Sequence, residues 1–300
     1  MNRKLVSVII PTLNRRDDVV NCISSVLSSD YKEIEVIVVD NASKDNTVKK
    51  IQEIFGENYK VRLIQSDINL GAAGGRNKGE SYANGEYLLF VDCDNVIDRR
   101  MISYLVEFFE NKIDCGMVGP LMLFKDNPSL IWIYSADINM WTSRALYQGT
   151  GEKDKKQYKE IEEVGHIPNC FMVKKEDFEK IGGFDEKYLI MFEEADLAEK
   201  IKKRLKNKIY LYTKAKTYHN VDLPNTDGKS FGFRSKERAF LTARNRIYFM
   251  RKNASIFQLL IFLFFYNHLI FIYYQFFLIK NKQYEKAWFY LRGNIEGLFM

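Results

Sequence analysis

The chain has no Cys-x-x-Cys pair and no Cys/His spacing of the kind that holds zinc. Its four cysteines, Cys22, Cys93, Cys115 and Cys170, are scattered through 300 residues. That excludes a disulfide framework and fits a reducing compartment. No Gly-Lys-Ser/Thr closes its glycine-rich stretch, so it has no Walker A loop, and the dinucleotide fingerprint is absent too. Internal repeats and low-complexity tracts are also missing. The first residues, Met1 to Lys4, lead straight into an apolar run without a leader-like segment, so the expectation is a protein made and kept in the cytoplasm. With 46% hydrophobic residues, a sizeable core forms without staples.

What is present begins with alternation. Apolar runs at 5–10, 36–40, 61–65 and 87–92 read as buried strands, and residues 17–28, 46–55 and 74–83 between them have helical spacing. Strand–helix repetition predicts right-handed crossovers and a doubly wound, mostly parallel, Rossmann-like α/β sheet. Ligands bind such sheets at the carboxyl ends of the strands, which places residues 11–14, 40–43 and 92–94 on one rim. Further on, strands are expected at 117–122, 170–173, 208–212 and 215–218, a mobile loop at 151–163 and a helix at 194–206.

Chemistry concentrates at a few points. Asp92 and Asp94, two positions apart behind an apolar strand, suit a hard cation that keeps waters and phosphate oxygens as its other ligands. Asp40 ends the second strand and is placed to accept from a nucleobase imide, while Ser43 or Asp45 caps the helix beyond it. Residues 69–79, Asn-Leu-Gly-Ala-Ala-Gly-Gly-Arg-Asn-Lys-Gly, open a helix with small residues; they either let a diphosphate approach, with Arg76 facing it, or serve close helix–strand packing. Glu193, Glu194 and Asp196 stand at a helix start beside Tyr188, Met191 and Phe192. Acids there complement the helix dipole, and a carboxylate in partly apolar surroundings has the raised pKa of a general base. His219, after another strand, is either structural or a ligand.

In order and spacing these segments resemble the large inverting family of GT-A glycosyltransferases that includes rhamnosyl-, galactosyl- and N-acetylhexosaminyltransferases of polysaccharide assembly, a family 2-like group. The resemblance runs over roughly residues 4–250, from Val6-Ser7-Val8-Ile9-Ile10-Pro11-Thr12 through Val39-Asp40-Asn41-Ala42-Ser43 to Gly182-Gly183-Phe184-Asp185-Glu186 and Glu193-Glu194-x-Asp196-Leu197. Arg244-Asn245 and the hydrophobic tail resemble the rhamnosyltransferase-like branch. It implies a GT-A fold in which Thr12, Asn14, Asp40 and Arg76 line the nucleotide, with Pro11, Asn41, Gly71, Asn77 and Asp92 in the same donor site. Asp92 and Asp94 would hold Mn²⁺ or Mg²⁺, and His219 would join the metal or the diphosphate. Glu194 stands where the family usually has the Asp of a Glu-Asp pair; being one methylene longer, it leaves Glu193 and Asp196 as alternative bases.

The expected activity is transfer, with inversion, of a hexosyl or deoxyhexosyl group from a UDP- or dTDP-linked sugar to a hydroxyl of a glycan or lipid-linked acceptor. A nucleotidyltransferase would carry an early triphosphate loop, which residues 11–14 are not. A non-catalytic sugar- or lipid-binding module would not need the acids. Residues 1–225 are assigned to the catalytic domain, a nucleotide half to about 100 and an acceptor half beyond, with sugar specificity placed in the irregular 120–165 region. A basic connector spans 226–252, where eight Lys and Arg between 229 and 252 face one Glu, and hydrophobic helices fill 253–300. Residues 256–279 are 24 uncharged positions, long enough to cross a bilayer, yet Asn267-His268 lies at the centre and cations flank both ends. Peripheral or monotopic attachment to an anionic, cytoplasmic membrane face, with Asn267-His268 as a hairpin bend or on an in-plane helix, is therefore preferred to a span. Burial in the catalytic domain or a homodimer interface is the remaining option. No nucleic-acid partner is expected.

Overall fold

The computed structural model describes residues 4–222 and 233–300. The first half is as the alternation predicts: β1 (Val6–Thr12), α1 (Arg16–Leu27), β2 (Ile34–Asp40), α2 (Thr47–Phe55), β3 (Val61–Gln65), α3 (Gly71–Glu80) and β4 (Tyr87–Val91). These strands run parallel in the order β3-β2-β1-β4. Next come β5 (Asn95–Ile97), α4 (Met101–Asn111), β6 (Cys115–Phe124), β7 (Ile131–Ile133), the hairpin β8 (Ser135–Asn139) and β9 (Arg144–Gln148), β10 (Ile161–Glu163), β11 (Cys170–Lys174), α5 (Lys175–Lys180), α6 (Glu193–Lys200) and β12 (Lys208–His219). β11 runs antiparallel between β4 and β6, and β12 lies parallel to β6, extending the sheet to ten strands among the described residues.

Both faces of the sheet are covered, which is why its strands are almost wholly apolar. Side chains alternate across it with period two. Val6, Val8 and Ile10 join Val19, Ile23 and Leu105 in one core, while Ile9, Val39 and Phe90 join Ala73, Phe178 and Leu197 in the other. The second face requires an intimate approach: a Cβ on Gly79 of α3 would stand 2.4 Å from Ile9 Cγ2.

Several boundaries differ from expectation. The 208–212 and 215–218 strands are one strand, β12, whose pairing to β6 shifts register between Tyr212 and Lys216. The end of the expected loop at 151–163 is β10, paired antiparallel to β12. The 194–206 helix begins at Glu193 and passes into a π-helical turn, Ile201–Leu205.

The C-terminal part is helical: α7 (Lys236–Asn253), α8 (Ile256–Ile261), a π turn at Phe262–Tyr266, α9 (Asn267–Lys280) and α10 (Tyr284–Phe299). Gly293 and Gly297 bring α10 onto the α7 backbone, since Cβ atoms there would stand 2.1 Å from Phe240 O and 2.8 Å from Arg244 O. Residues 256–280 form one helix across the π turn, so Asn267-His268 is no hairpin bend. Asn267 is instead buried, accepting from Arg246 Nη2 at 2.9 Å and paired with Asn294. Part of the basic block is also taken up by contacts within the protein. Arg244 and Arg246 are buried, Lys236 pairs with Glu285, and Lys252 lies 2.7 Å from Asp185 and 2.8 Å from Asp196. Lys229 and the 225/226 boundary lie outside the described residues.

The Gly79–Ile9 contact supplies the first prediction. Gly79→Ala overpacks a core with no slack and should lower unfolding stability by about 1–3 kcal/mol. Equilibrium urea denaturation reads this directly; an unchanged midpoint would mean that α3 sits farther from β1.

Candidate active site

Thr12, Asp40 and Asp92 come together because β1, β2 and β4 are parallel and end at one rim. Thr12 and Asp40 are register partners, and Asp92 follows β4 directly. The chain order reverses between β1 and its neighbour β4, the position where an open α/β sheet forms a ligand crevice. Asp40 Oδ2 accepts from Ser43 N at 3.0 Å, and Asn41 Nδ2 donates to Gly71 O at 3.0 Å. Asp40 Oδ1 and Asn41 Oδ1 are buried without partners. Asn14, in left-handed conformation (φ 51°), holds the loop after β2 through Ser43 Oγ and Lys44 N.

Arg76 differs from expectation. Its guanidinium is fully buried and faces three carboxylates: Asp92 Oδ1 at 2.6 Å, Glu194 Oε1 at 2.9 Å and Glu193 Oε1 at 3.2 Å. Phe184 and Phe171 lie beneath it at 5.4 and 5.8 Å. Burial opposes its charge, but the carboxylates outweigh that and hold its pKa above the usual arginine range. Arg76 is therefore a hub that gathers acids and is not an open diphosphate ligand. Burial in turn raises the first two acids of α6: Glu193, with Glu194 beside it, is pushed up to about 8, and Glu194 also rises.

The two aspartates have different partners. Asp92 turns to Arg76, and burial raises its pKa. Asp94 turns to His219 Nε2 at 3.4 Å and Arg15 at 3.8 Å, and these overcome burial to lower its pKa. Among the described residues no cluster of three or more His, Cys, Asp or Glu forms a ready cation site. Asp94 and His219 nevertheless face each other as hard-oxygen and imidazole donors, and buried His219 Nδ1 has no partner.

Other expected contributors serve packing. Asn77 is fully engaged with Phe184 N, Phe184 O and Glu186, pinning the Gly182–Gly183 turn. Gly71 (φ +70°) and Gly75 are small because Leu189 O, Asn41 and Pro11 stand where their Cβ atoms would go. Asp196 is not brought to the rim. Its oxygens accept from Lys252, Asn253 and Tyr188, which fixes α6 to α7.

Sequence reasoning missed Asn169. Its backbone N donates to Glu194 Oε1 at 2.9 Å, its O accepts from Asp92 N at 2.9 Å, and its side chain lies 3.2 Å from His219 Nε2. The only local signal was Pro168-Asn169 before a strand, a turn signature. Asn245 was noticed but its part was not. Its Nδ2 reaches Tyr188 O, Ile190 O and Met191 O at 2.9–3.1 Å, bracing the left-handed residues Leu189, Met191 and Phe192 that lead into Glu193. Arg238 is exposed, with the cations Arg234 and Arg15 and the acids Asp94 and Glu193 near enough to act on its charge.

The fold is GT-A. It superposes on the crystal structure of GalNAc-T7 with UDP, GalNAc and Mn²⁺ at TM-score 0.66, with 16% identity over 83% of this chain and 48% of that one. On Staphylococcus aureus TarS 1–349 the TM-score is 0.55, with 20% identity over 86% and 70%. Residues 7–182 match the family model described as glycosyl transferase family 2, and the chain belongs to that family. Among its relatives, glycosyltransferase GlyG of Streptococcus pneumoniae is 25% identical over 59% of either chain. The poly-beta-1,6-N-acetyl-D-glucosamine synthase of Staphylococcus epidermidis is 34% identical over 38% of this chain and 27% of its own. The UDP-Glc:alpha-D-GlcNAc-diphosphoundecaprenol beta-1,3-glucosyltransferase WfgD of Escherichia coli is 36% identical over 32% and 37%. The matches thus span less than two thirds of these relatives' lengths.

The Glu193 environment fixes a pH dependence. A carboxyl whose folded pKa lies above its unfolded value binds its proton more tightly when native. The stability from that proton is complete below the ordinary glutamate range and is lost as pH rises through about 8. Between about pH 6 and pH 9 the wild-type melting temperature should therefore fall more steeply than that of Glu193→Gln, which has no proton to lose. Parallel curves in pH-resolved calorimetry would refute the buried-acid assignment.

Proposed function

We propose that this protein is a metal-dependent, inverting glycosyltransferase. It moves a hexosyl or deoxyhexosyl group from a UDP- or dTDP-linked donor to a hydroxyl of a glycan or lipid-linked acceptor, at the cytoplasmic face of a membrane. The observation that carries the reading is the set of buried, unpartnered polar atoms on the carboxyl rim, at Asp40, Asn41 and His219. Leaving such atoms unpaired costs about 1–3 kcal/mol each, so a bound ligand that pairs them is favoured. An imide N–H of uracil or thymine suits Asp40, beside Thr12, Asn14 and Asn41.

Asp94 and His219 would hold the cation, Mn²⁺ or Mg²⁺, together with oxygens of the donor diphosphate. When bound, it offsets charge on the departing nucleoside diphosphate. Arg15 and Arg238, cations near Asp94, suit the same diphosphate in place of Arg76. Glu194 is the base. Its Oε1 is fixed by Arg76 and Asn169, and its side chain keeps some exposure, whereas Glu193 is sealed and retains its proton near neutrality. The acceptor oxygen bonds to the anomeric carbon as the bond to the diphosphate oxygen breaks, and Glu194 takes the hydroxyl proton. No protein nucleophile is required. The names of WfgD and the S. epidermidis synthase, a lipid-diphosphate acceptor and a polysaccharide product, support the acceptor classes.

Incubation with labelled UDP- and dTDP-sugars and a lipid extract tests the reading: label in lipid or glycan supports it, and pyrophosphate-dependent nucleotide exchange would point to a nucleotidyltransferase. Asp94→Ala should cut transfer by about 10²-fold or more with the fold intact; retention of more than about a tenth of wild-type turnover contradicts the cation role. Glu194→Gln should keep donor affinity and lose turnover. If turnover instead vanishes in Glu193→Gln alone, the base is Glu193.

A further inference from the structure

We propose that the helix from Ile256 to Lys280, with the tip of the β8–β9 hairpin, lies in the plane of an anionic phospholipid bilayer and does not cross it. This rests on the reading above that the enzyme works at a membrane, and it supplies the face and the orientation. The helix is 25 residues long with mean hydropathy 1.9, yet only 11% of its apolar window is buried against the rest of the protein. Phe257, Phe264, Ile272 and Phe276 are 62–77% exposed and, with Ile279, recur at helical spacing along one side. The stripe is about 33 Å long, at ~1.5 Å per residue.

The opposite side shows why the helix does not cross. Phe262 and Leu278 are buried there, and Asn267, at mid-length, is bonded to Arg246 of α7 and Asn294 of α10. A crossing would place Asn267 at the bilayer centre and carry Arg246 with it, along with Arg244 and the charged ends of α7. Insertion scales charge about 2.5–3.5 kcal/mol for each such residue. Lying flat leaves α7 and α10 on the aqueous side and sinks only the apolar stripe.

A second copy of the chain fits this face less well. Arg251 precedes the helix, Lys280 ends it, and Lys282 and Arg292 follow it; none of the four forms an ion pair among the described residues. A two-fold dimer across the stripe brings these cations against one another whether the helices pair parallel or antiparallel. Anionic head groups complement them, at roughly 1 kcal/mol per Lys or Arg near the surface.

The hairpin extends the face towards the chemistry. Trp141, at its tip, meets Phe257 edge-on at 5.9 Å and is 40% exposed, as befits an interfacial tryptophan. Along β9, Leu146 and Tyr147 are also exposed. Tyr147 also feels the charges of Glu194 and Glu193, so this strand of the hairpin lies on the side of the candidate site.

The test uses the full chain with phosphatidylcholine vesicles, with and without phosphatidylglycerol. The protein should float with the anionic vesicles, and Phe264→Glu/Phe276→Glu should stay at the bottom while keeping its melting temperature and donor hydrolysis. Single cysteines at Phe257, His268 and Ile279, labelled with a fluorophore, should be quenched equally by nitroxide lipids at a shallow depth. Deep quenching at His268 alone means a span and overturns the proposal, as does wild-type protein that never floats or that forms a dimer abolished by the double substitution. Loss of flotation with donor hydrolysis intact removes the docking and leaves the transferase reading; flotation without transfer from any donor does the reverse.

Discussion

The candidate site is organised by one buried cation, Arg76. Arg76 has no exposure to water, and a buried guanidinium is tolerated only when paired and hydrogen-bonded. Its partners come from two places far apart in sequence: Asp92 at the end of β4, and Glu193 and Glu194 at the start of α6. That compensation fixes how α6 meets the rim of the parallel sheet. It also explains why removing Arg76 differs from removing a surface charge, because three acids would be left crowded together with no cation between them.

Holding α6 in that position demands an awkward approach by the chain. Leu189, Met191 and Phe192 all have positive φ, a conformation that bulky residues adopt only when their surroundings impose it. Asn245 supplies much of that constraint by donating to three carbonyls of this stretch, and Arg244 adds bonds to Lys187 O and Tyr188 O. From the other side, Lys252 and Asn253 tie down Asp196. The C-terminal helices thus brace the acids of the site. Arg244 and Lys252, which look in sequence like part of a basic connector, here belong to that brace.

This separates what the sequence discloses from what it conceals. The strands and their shared rim are legible because burial on both faces leaves an unbroken apolar run, and because Thr12, Asp40 and Asp92 each stand where such a run ends. Arg76 is concealed because its meaning lies in contacts across more than a hundred residues, which no local periodicity encodes. Its small neighbours mislead for a related reason: Gly71, Gly75 and Gly79 look the same whether a phosphate or a β-strand approaches them, and here protein atoms occupy the space. Asn267 shows the opposite error, a polar residue read as a bend because its buried partners, Arg246 and Asn294, are distant in sequence.

The Asp92 and Asp94 pair shows how one rim produces two different carboxylates from a symmetrical motif. Both are desolvated, which by itself raises a carboxyl pKa. For Asp92 that effect prevails despite Arg76, and the group is tied into the buried network. For Asp94, His219 and Arg15 prevail, so the group stays an anion, bordered by an imidazole with one nitrogen unpartnered. A hard cation needs an ionised oxygen not already committed to a guanidinium, and Asp94 meets that condition better than Asp92. Asp92 instead helps to hold Arg76, and through Arg76 the acids of α6, against the rim of the sheet.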